Sequence, residues 1–440
     1  MPRAAGVKYI GIGDRVHVLR AFRDGRLHAP AARGCHWSVP FVNIANTGQQ
    51  PVMVQRRATA LTSCAKARNG VPHASVASYR PAELGNPTGH EAQTLAACAR
   101  QLAAFMDLRY AGGLEAVATD AMPAFLVPSH TLVGIEYARA MGVHAETDLF
   151  GGVVPHAFVA TKTITHPLVD ASALAPAGWT PAFPARVADV VHDGFSAFTR
   201  PDAWRAGTAL MARGDIRVKP ALATGGGGQS VVRTRDELAQ ALGAIAEDEL
   251  SSAGVVIETN LAEVETYSVG QVRIGGMLCS YCGTQQETLN HHGRSVYGGS
   301  ALTLVRGNFD ALLALPLDDK ARIAIDQARH YDAAADSCFA GMFASRRNYD
   351  VAQGRDPRGE WRSGVLEQSW RLGGASTAEL CALLAFKADP CLRMTRASSV
   401  ESYAEDVEVP AGATVFYRGV DPRLGHLTKY AMSEAHADAR

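Results

Sequence analysis

Four successive glycines, Gly225, Gly226, Gly227 and Gly228, stand between two short apolar runs, and this restricts what the chain can build there. Before them, Ile216-Arg-Val-Lys219-Pro220 alternates apolar and basic residues as a strand does; after them, Gln229-Ser230-Val231-Val232 resumes an extended pattern. Glycine has no Cβ, so its backbone N–H groups can approach a ligand closely, and Lys219 places an ammonium beside them. The segment reads as strand, glycine loop, strand: either a flap over a phosphate chain or a flexible hairpin tip. It is not a Walker loop, which ends Gly-Lys-Ser/Thr and opens directly into a helix. Here the helix begins later, with Thr234 as its cap and Glu237 completing a capping box.

Three further stretches carry chemistry. Gly254-Val-Val-Ile-Glu258 reads as an apolar strand, Thr-Asn-Leu261 as a hinge, and the next residues as a second strand bearing Glu265. Arg346-Arg-Asn-Tyr-Asp350-Val and Val365-Leu-Glu367-Gln-Ser369-Trp-Arg371 read as two strands joined by a turn between Gly354 and Gly364, which brings Asp350 and Glu367 together. Paired carboxylates repel unless a cation separates them, and magnesium bridging nucleotide phosphates is a suitable occupant. The same hairpin is open to a plainer reading, a surface element salt-bridged through Arg346 and Arg347. Beyond Arg371, Gly373-Gly374-Ala375-Ser376 turns into a helix, with Ser376 and Glu379 spaced as a second capping box. A helix start of this kind gathers free N–H groups for an anion, and Arg371 adds a bidentate fork.

Elsewhere the pattern is ordinary. His90-Glu91 opens an apolar helix that Gly112-Gly113 is expected to end; a strand follows at 124–127, then a helix from Leu132 to Met141 closed by Gly142. Strands and helices resume to about residue 390 after a proline-rich loop over 170–185. The expected divisions are a basic N-terminal extension over 1–70, poorly ordered, a small α/β domain over 71–150, a main domain over 151–390 and a packed C-terminal segment over 391–440. Net charge is zero, yet residues 1–82 hold twelve Lys or Arg against two acids, so every motif above lies in an acidic body. No apolar run reaches the ~18 residues of a membrane span, and neutral charge offers no broad nucleic-acid surface. Cys279 and Cys282 lie in a strand pair without a second ligand pair, so reduced cytoplasmic thiols are expected.

The order of these elements resembles the ATP-grasp superfamily. Lys219 with Gly225 to Gly228 and Gln229 looks like its strand lysine and phosphate flap; Glu258, Leu261 and Glu265 match its adenine- and ribose-reading hinge. Asp350, Glu367 and Arg371 match its magnesium and phosphate motif, with Ser369 where asparagine is usual, a shorter ligand for a second ion. Lys162 is taken as the second family lysine, on the α-phosphate side. The phrases Leu149-Phe-Gly-Gly-Val-Val-Pro155, Thr161-Lys-Thr-Ile-Thr-His-Pro167 and Arg346-Arg-Asn-Tyr-Asp350 look like an uncharacterised bacterial branch often labelled biotin-carboxylase-like. Ser-Trp-Arg after Glu367 departs from the Asn-Pro-Arg of true biotin carboxylases.

The resemblance implies an α+β fold of two subdomains clamping ATP, preceded by a small α/β domain. It also implies ATP with Mg2+, two ions, held by Asp350, Glu367 and Ser369. The implied function is ligation: a carboxylate activated as an acyl phosphate and attacked by an amine or similar nucleophile, with Lys219, Glu367 and Arg371 as catalytic groups. A kinase on the same fold and an inactive nucleotide-binding scaffold are the alternatives, Ser369 favouring the scaffold. Partners are small-molecule carboxylate and nucleophile substrates, with no nucleic acid or membrane; a homodimer is left open.

Overall fold

The computed structural model describes residues 10–11, 16–17, 73–81, 89–117, 123–223 and 228–434. The chain divides into residues 1–65 and 66–440. Of the first unit, only the antiparallel pair β1 (Ile10–Gly11) and β2 (Val16–His17) is described. The expected basic extension thus falls almost entirely outside the described residues.

The second unit starts with β3 (Ser75–Tyr79), α1 (His90–Met106), β4 (Arg109–Gly113) and β5 (Phe125–Pro128), a parallel sheet in the order β4-β3-β5. Leu95, Ala99, Leu102 and Ala103 give α1 its buried stripe. The helix ends earlier than Gly112-Gly113 predicts: Asp107 turns left-handed at φ 57°, and the glycines belong to β4. Gly89 lacks a side chain to cap α1. Asp421, far along the chain, accepts from His90 N at 3.2 Å and lies 2.9 Å from His90 Nδ1, capping the helix from outside.

β6 (Leu132–Val133), α2 (Ile135–Ala140) and β7 (Gly152–Val154) follow. The helix expected from Leu132 starts at Ile135, because Leu132 and Val133 pair with β7 instead. Likewise α3 (Ala182–Val187) begins within the expected loop, with Pro184 tolerated in its first turn.

Next come β8 (Gly194–Ala197), α4 (Arg200–Met211), β9 (Ile216–Pro220), β10 (Ser230–Val232), α5 (Arg235–Gly243), α6 (Glu247–Ser252) and β11 (Val255–Thr259). Their strands form an antiparallel sheet in the order β10-β9-β11-β8. Ile216, Val218, Val255 and Ile257 pack with Leu210 and Leu238 of α4 and α5. Successive strand side chains alternate faces, so Lys219 and Glu258 project from the other side.

Three long strands follow, β12 (Ala262–Ile274), β13 (Met277–Leu289) and β14 (Ser295–Arg306), then α7 (Phe309–Leu313) and α8 (Asp319–Cys338). β15 (Phe343–Ala344) joins β7, and β16 (Arg346–Arg355) with β17 (Trp361–Ser369) forms the expected hairpin. α9 (Ser376–Ala388), β18 (Met394–Ser402), β19 (Thr414–Asp421) and β20 (Gly425–Ser433) complete the chain. Eight strands make one sheet, β17-β16-β12-β13-β14-β18-β20-β19. Tyr331 and Ala328 of α8 pack on one face against Tyr267, Tyr349 and Val351. Leu102 of α1 and Leu383 and Phe386 of α9 pack on the other, near Tyr281 and Leu304; each such side chain, fully buried, is worth about 1.5–3 kcal/mol. Cys279 and Cys282, three apart on β13, belong to the two opposite cores, and burial raises both thiols, Cys282 to about 12. Among the described residues, no helix is long and apolar enough to cross a membrane.

Candidate active site

Strand alternation builds the carboxylate half of the site. With Tyr349 and Val351 turned into the α8 core, Asn348 and Asp350 point the other way, and Asp350 stands directly opposite Glu367. A register shift follows at once, between Asp350 and Val351; bulges of this kind re-aim side chains next to functional sites. Asp350 Oδ1 accepts from Gln285 Nε2 at 2.8 Å, Asn348 Nδ2 at 2.9 Å and Ser268 Oγ at 3.4 Å. Even so, burial and the facing Glu367 charge push its carboxyl up to about 6. A repulsion that three donors leave uncorrected marks a place for a cation. Two carboxylates are a donor set that magnesium accepts when phosphates and water supply its other oxygens.

Lys162 forms the bridge to the glycine loop. It lies in a 3-10 turn, Lys162–Ile164, and Thr161 Oγ1 accepts from Thr163 N there. Its Nζ donates to Ala223 O at 2.7 Å, the last described residue before the loop, and lies 3.0 Å from Glu367 Oε2. Gly225, Gly226 and Gly227 lie outside the described residues; Gly228 takes φ 72°. Gln229 Oε1 accepts from Arg217 Nη1 at 3.4 Å.

Lys219 forms a separate buried group. It is ion-paired with Glu258, whose other oxygen lies 3.4 Å from His166 Nε2. Burial opposes the Glu258 charge, but Lys219 and His166 hold its carboxyl well below the usual range. His192 lies near this group, and burial lowers its pKa to about 4, so the ring is neutral at pH 7. Among the described residues, His166 Nδ1 and His192 Nε2 are buried without a hydrogen-bond partner.

Family comparison adds a label without a reaction. The family described as "Protein of unknown function (DUF3182)" matches residues 79–431. The chain belongs to this family. No curated protein matches the sequence of this family member. Among solved structures it is similar to the ADP complex of N5-carboxyaminoimidazole ribonucleotide synthetase, at 11% identity and a TM-score of 0.46, over 83% of this chain and 93% of that one. It is also similar to a biotin carboxylase–nucleotide complex from Campylobacter jejuni, at 11% identity and 0.44, over 82% and 88%. A third is D-alanyl-alanine synthetase A from Vibrio cholerae, at 13% and 0.42, over 71% and 94%.

One expected site residue and one expected cap have other partners in this DUF3182 protein. Glu265, taken as the ribose-reading acid, pairs with Lys320 of α8 at 3.0 Å, drawn there by the strand alternation that buries Tyr267 in the α8 core. Glu379 caps nothing: it lies fully buried against Arg346, with Nη2 to Oε1 at 2.7 Å and Nε to Oε2 at 3.0 Å. Ser376 Oγ instead accepts from Gly373 N at 3.0 Å. The hairpin is therefore no surface element, since Arg346 is 1% exposed. Arg347, on the opposite face, bonds Asp332 and Asp336 of α8 at 2.7 and 2.8 Å. Leu261 is buried where the hinge turns into β12.

Arg346 is the residue that sequence reasoning undervalued. Besides Glu379, its Nη1 donates to Ser369 O at 3.1 Å, Ser369 Oγ at 3.3 Å and Arg371 O at 2.5 Å, fixing the segment that carries both site residues. Glu379 outweighs burial and holds the guanidinium above its ordinary pKa. The Tyr281 hydroxyl lies 2.6 Å from Glu379 Oε1 and 2.9 Å from Asn348 Oδ1, tying this pair to the residue that supports Asp350. A Cβ at Gly270 would stand 2.3 Å from that hydroxyl, so only glycine leaves it room. Among the described residues, Arg371 itself donates to Leu372 O at 2.8 Å; burial lowers its pKa while Glu367 and Asp350 raise it.

Proposed function

We propose that this protein is an ATP- and Mg2+-dependent ligase of the ATP-grasp type that activates a carboxylate as an acyl phosphate. The observation that carries the reading is the contact of Lys162 with both Ala223, at the stem of the glycine loop, and Glu367, which faces Asp350. The stem of the glycine loop, an ammonium and paired carboxylates meet there, a combination suited to a polyphosphate substrate. A bound magnesium ion, held by Asp350 and Glu367, would neutralise charge on the phosphates.

In this reading Lys162 and Lys219 exchange their carboxylate partners for ATP phosphates. A substrate carboxylate oxygen attacks the γ-phosphorus, and the bond to the bridging oxygen breaks with its electron pair leaving on ADP. Arg371, within the electrostatic reach of Glu367, steadies the transferring phosphoryl group. An amine then attacks the acyl carbon and loses a proton, and inorganic phosphate departs with the C–O bonding pair. Protein groups supply position and charge complement.

One observation favours a second reading, a scaffold without turnover. The Ser369 hydroxyl accepts from Arg346, so a guanidinium already occupies the surroundings of a second ion. Incubation with Mg-ATP, a carboxylate pool and hydroxylamine separates the readings. ADP together with a hydroxamate supports ligation; a stable phosphorylated acceptor formed without a nucleophile identifies a kinase; nucleotide binding without ADP release leaves the scaffold.

A further inference from the structure

A crevice outside the nucleotide site opens at the carboxyl ends of β3 and β5. It is lined by Tyr79, Pro81, His130, Thr131, Leu132, Val133 and Tyr137, and its volume is about 200 Å3. β3 is the central strand of its sheet, with β4 and β5 on either side. Ligands of open α/β sheets enter at such carboxyl ends, where the strand order reverses.

The crevice adjoins the phosphate end of the proposed site. Thr131 Oγ1 donates to Trp370 O at 3.2 Å, the carbonyl just before Arg371. A Cβ at Gly151 would stand 3.5 Å from Pro128 and 3.9 Å from Arg371 Cα, so these two segments pass in contact. His130 is close enough to Arg371 to have its pKa lowered by that charge, in addition to partial burial. Arg371 is therefore near both His130 of the crevice and the Asp350–Glu367 pair.

We propose that this crevice is the acceptor pocket and that the acceptor is a small aromatic carboxylate; the assignment rests on the ligase reading above. Three arguments select that class. The walls are mostly apolar, and Tyr79 and Tyr137, whose hydroxyls lie 2.6 Å apart, present rings that favour a flat body. Among the described residues, none of those lining the crevice is acidic, whereas the Arg371 charge is felt at His130 in its wall, which favours an anionic end group. The volume is below the roughly 300–1,000 Å3 of pockets for drug-sized ligands, which limits the acceptor to about one ring. The carboxylate end points to Arg371, the group that pairs with carboxylate geometry. There one carboxylate oxygen takes the γ-phosphoryl group, and ADP leaves with the electron pair of the broken Pγ–O bond.

The test uses the full chain with Mg-ATP and five probes: benzoate, 3-phenylpropionate, acetate, L-phenylalanine and benzamide. ADP release is expected with an aromatic acid at a KM at least about tenfold below that of acetate, with L-phenylalanine and benzamide inactive. Tyr137→Ala, at a half-exposed position, is expected to raise the aromatic acid's KM about tenfold while acetate's moves much less. Equal KM values for the two acids, or an equal shift of both in the variant, overturns the proposal. Where no probe releases ADP, saturation-transfer NMR decides: transfer to benzoate that Tyr137→Ala abolishes supports the pocket, and its absence in the wild type overturns it. Calorimetry of Mg-ATP separates the two readings: failure to bind nucleotide removes the ligase, whereas nucleotide binding with inert aromatic acids removes only this acceptor.

Discussion

Lys162 Nζ and Glu367 Oε2 meet at 3.0 Å across the gap between a short 3-10 turn and the second strand of the carboxylate hairpin. Without nucleotide, each neutralises the other. The lysine is 4% exposed and the glutamate 33%, so the pair contributes little to stability and holds both charges ready for a more highly charged ligand.

Substituting Lys162 should accordingly affect the nucleotide far more than the fold. Lys162→Ala is expected to change unfolding free energy by about 1 kcal/mol and to lower turnover by roughly 10²–10³, the usual cost of a lost preorganised donor. Denaturant melts paired with ADP-release rates check both; near wild-type turnover would place the phosphates elsewhere.

The Lys219–Glu258 pair behaves oppositely, because both side chains are about 5% exposed or less. Glu258→Gln leaves a buried ammonium facing a neutral amide and should cost about 3–5 kcal/mol. Adding Lys219→Met should recover much of that loss. A double-mutant cycle by urea unfolding measures the coupling, and additive losses would contradict it.

Asp350 carries a charge that the ligand-free fold disfavours. Asp350→Asn should raise the melting temperature of the nucleotide-free protein, by the equivalent of about 1–3 kcal/mol, while removing magnesium-dependent ATP binding. Calorimetric scans with and without Mg-ATP give both numbers; a destabilised variant would mean the carboxylate is satisfied as it stands.

His192 predicts an acid limit. Its folded-state pKa of about 4 lies below the unfolded 6.5, so the unfolded chain binds the proton first and stability is lost as pH falls from 6.5 towards 4. That loss should reach about 3 kcal/mol at the lower end. His192→Gln should flatten the profile over this window, and an unchanged slope would assign the titration to another group.

What the sequence made legible depended on strand alternation. Asp350 opposite Glu367 and the Thr234–Glu237 capping box follow from local pattern, and the structure has both. The partners of Glu265 and Glu379 were hidden for one reason. Spacing along the chain does not say which face of a strand or helix meets a partner from elsewhere, and Lys320 and Arg346 lie 55 and 33 residues away. Lys162 sits in a turn with no periodicity; only the resemblance pointed to it. The crevice beneath Tyr137 left no trace in sequence, being made by the ends of elements that touch only in the folded chain.

The eight-stranded order also limits how the molecule can be cut. β14 pairs with β18 from Gly299–Val400 to Val305–Met394, and β20 then closes on β18. A fragment stopped at residue 390 would retain the hairpin with Asp350 and Glu367 but turn β14 into a bare edge, open to pairing with any other chain. Shortening therefore risks fibrous self-association before it reveals anything about nucleotide binding. Insertions are better placed in the turn after Arg355, which ends the hairpin away from the carboxylates and carries an exposed Gly359.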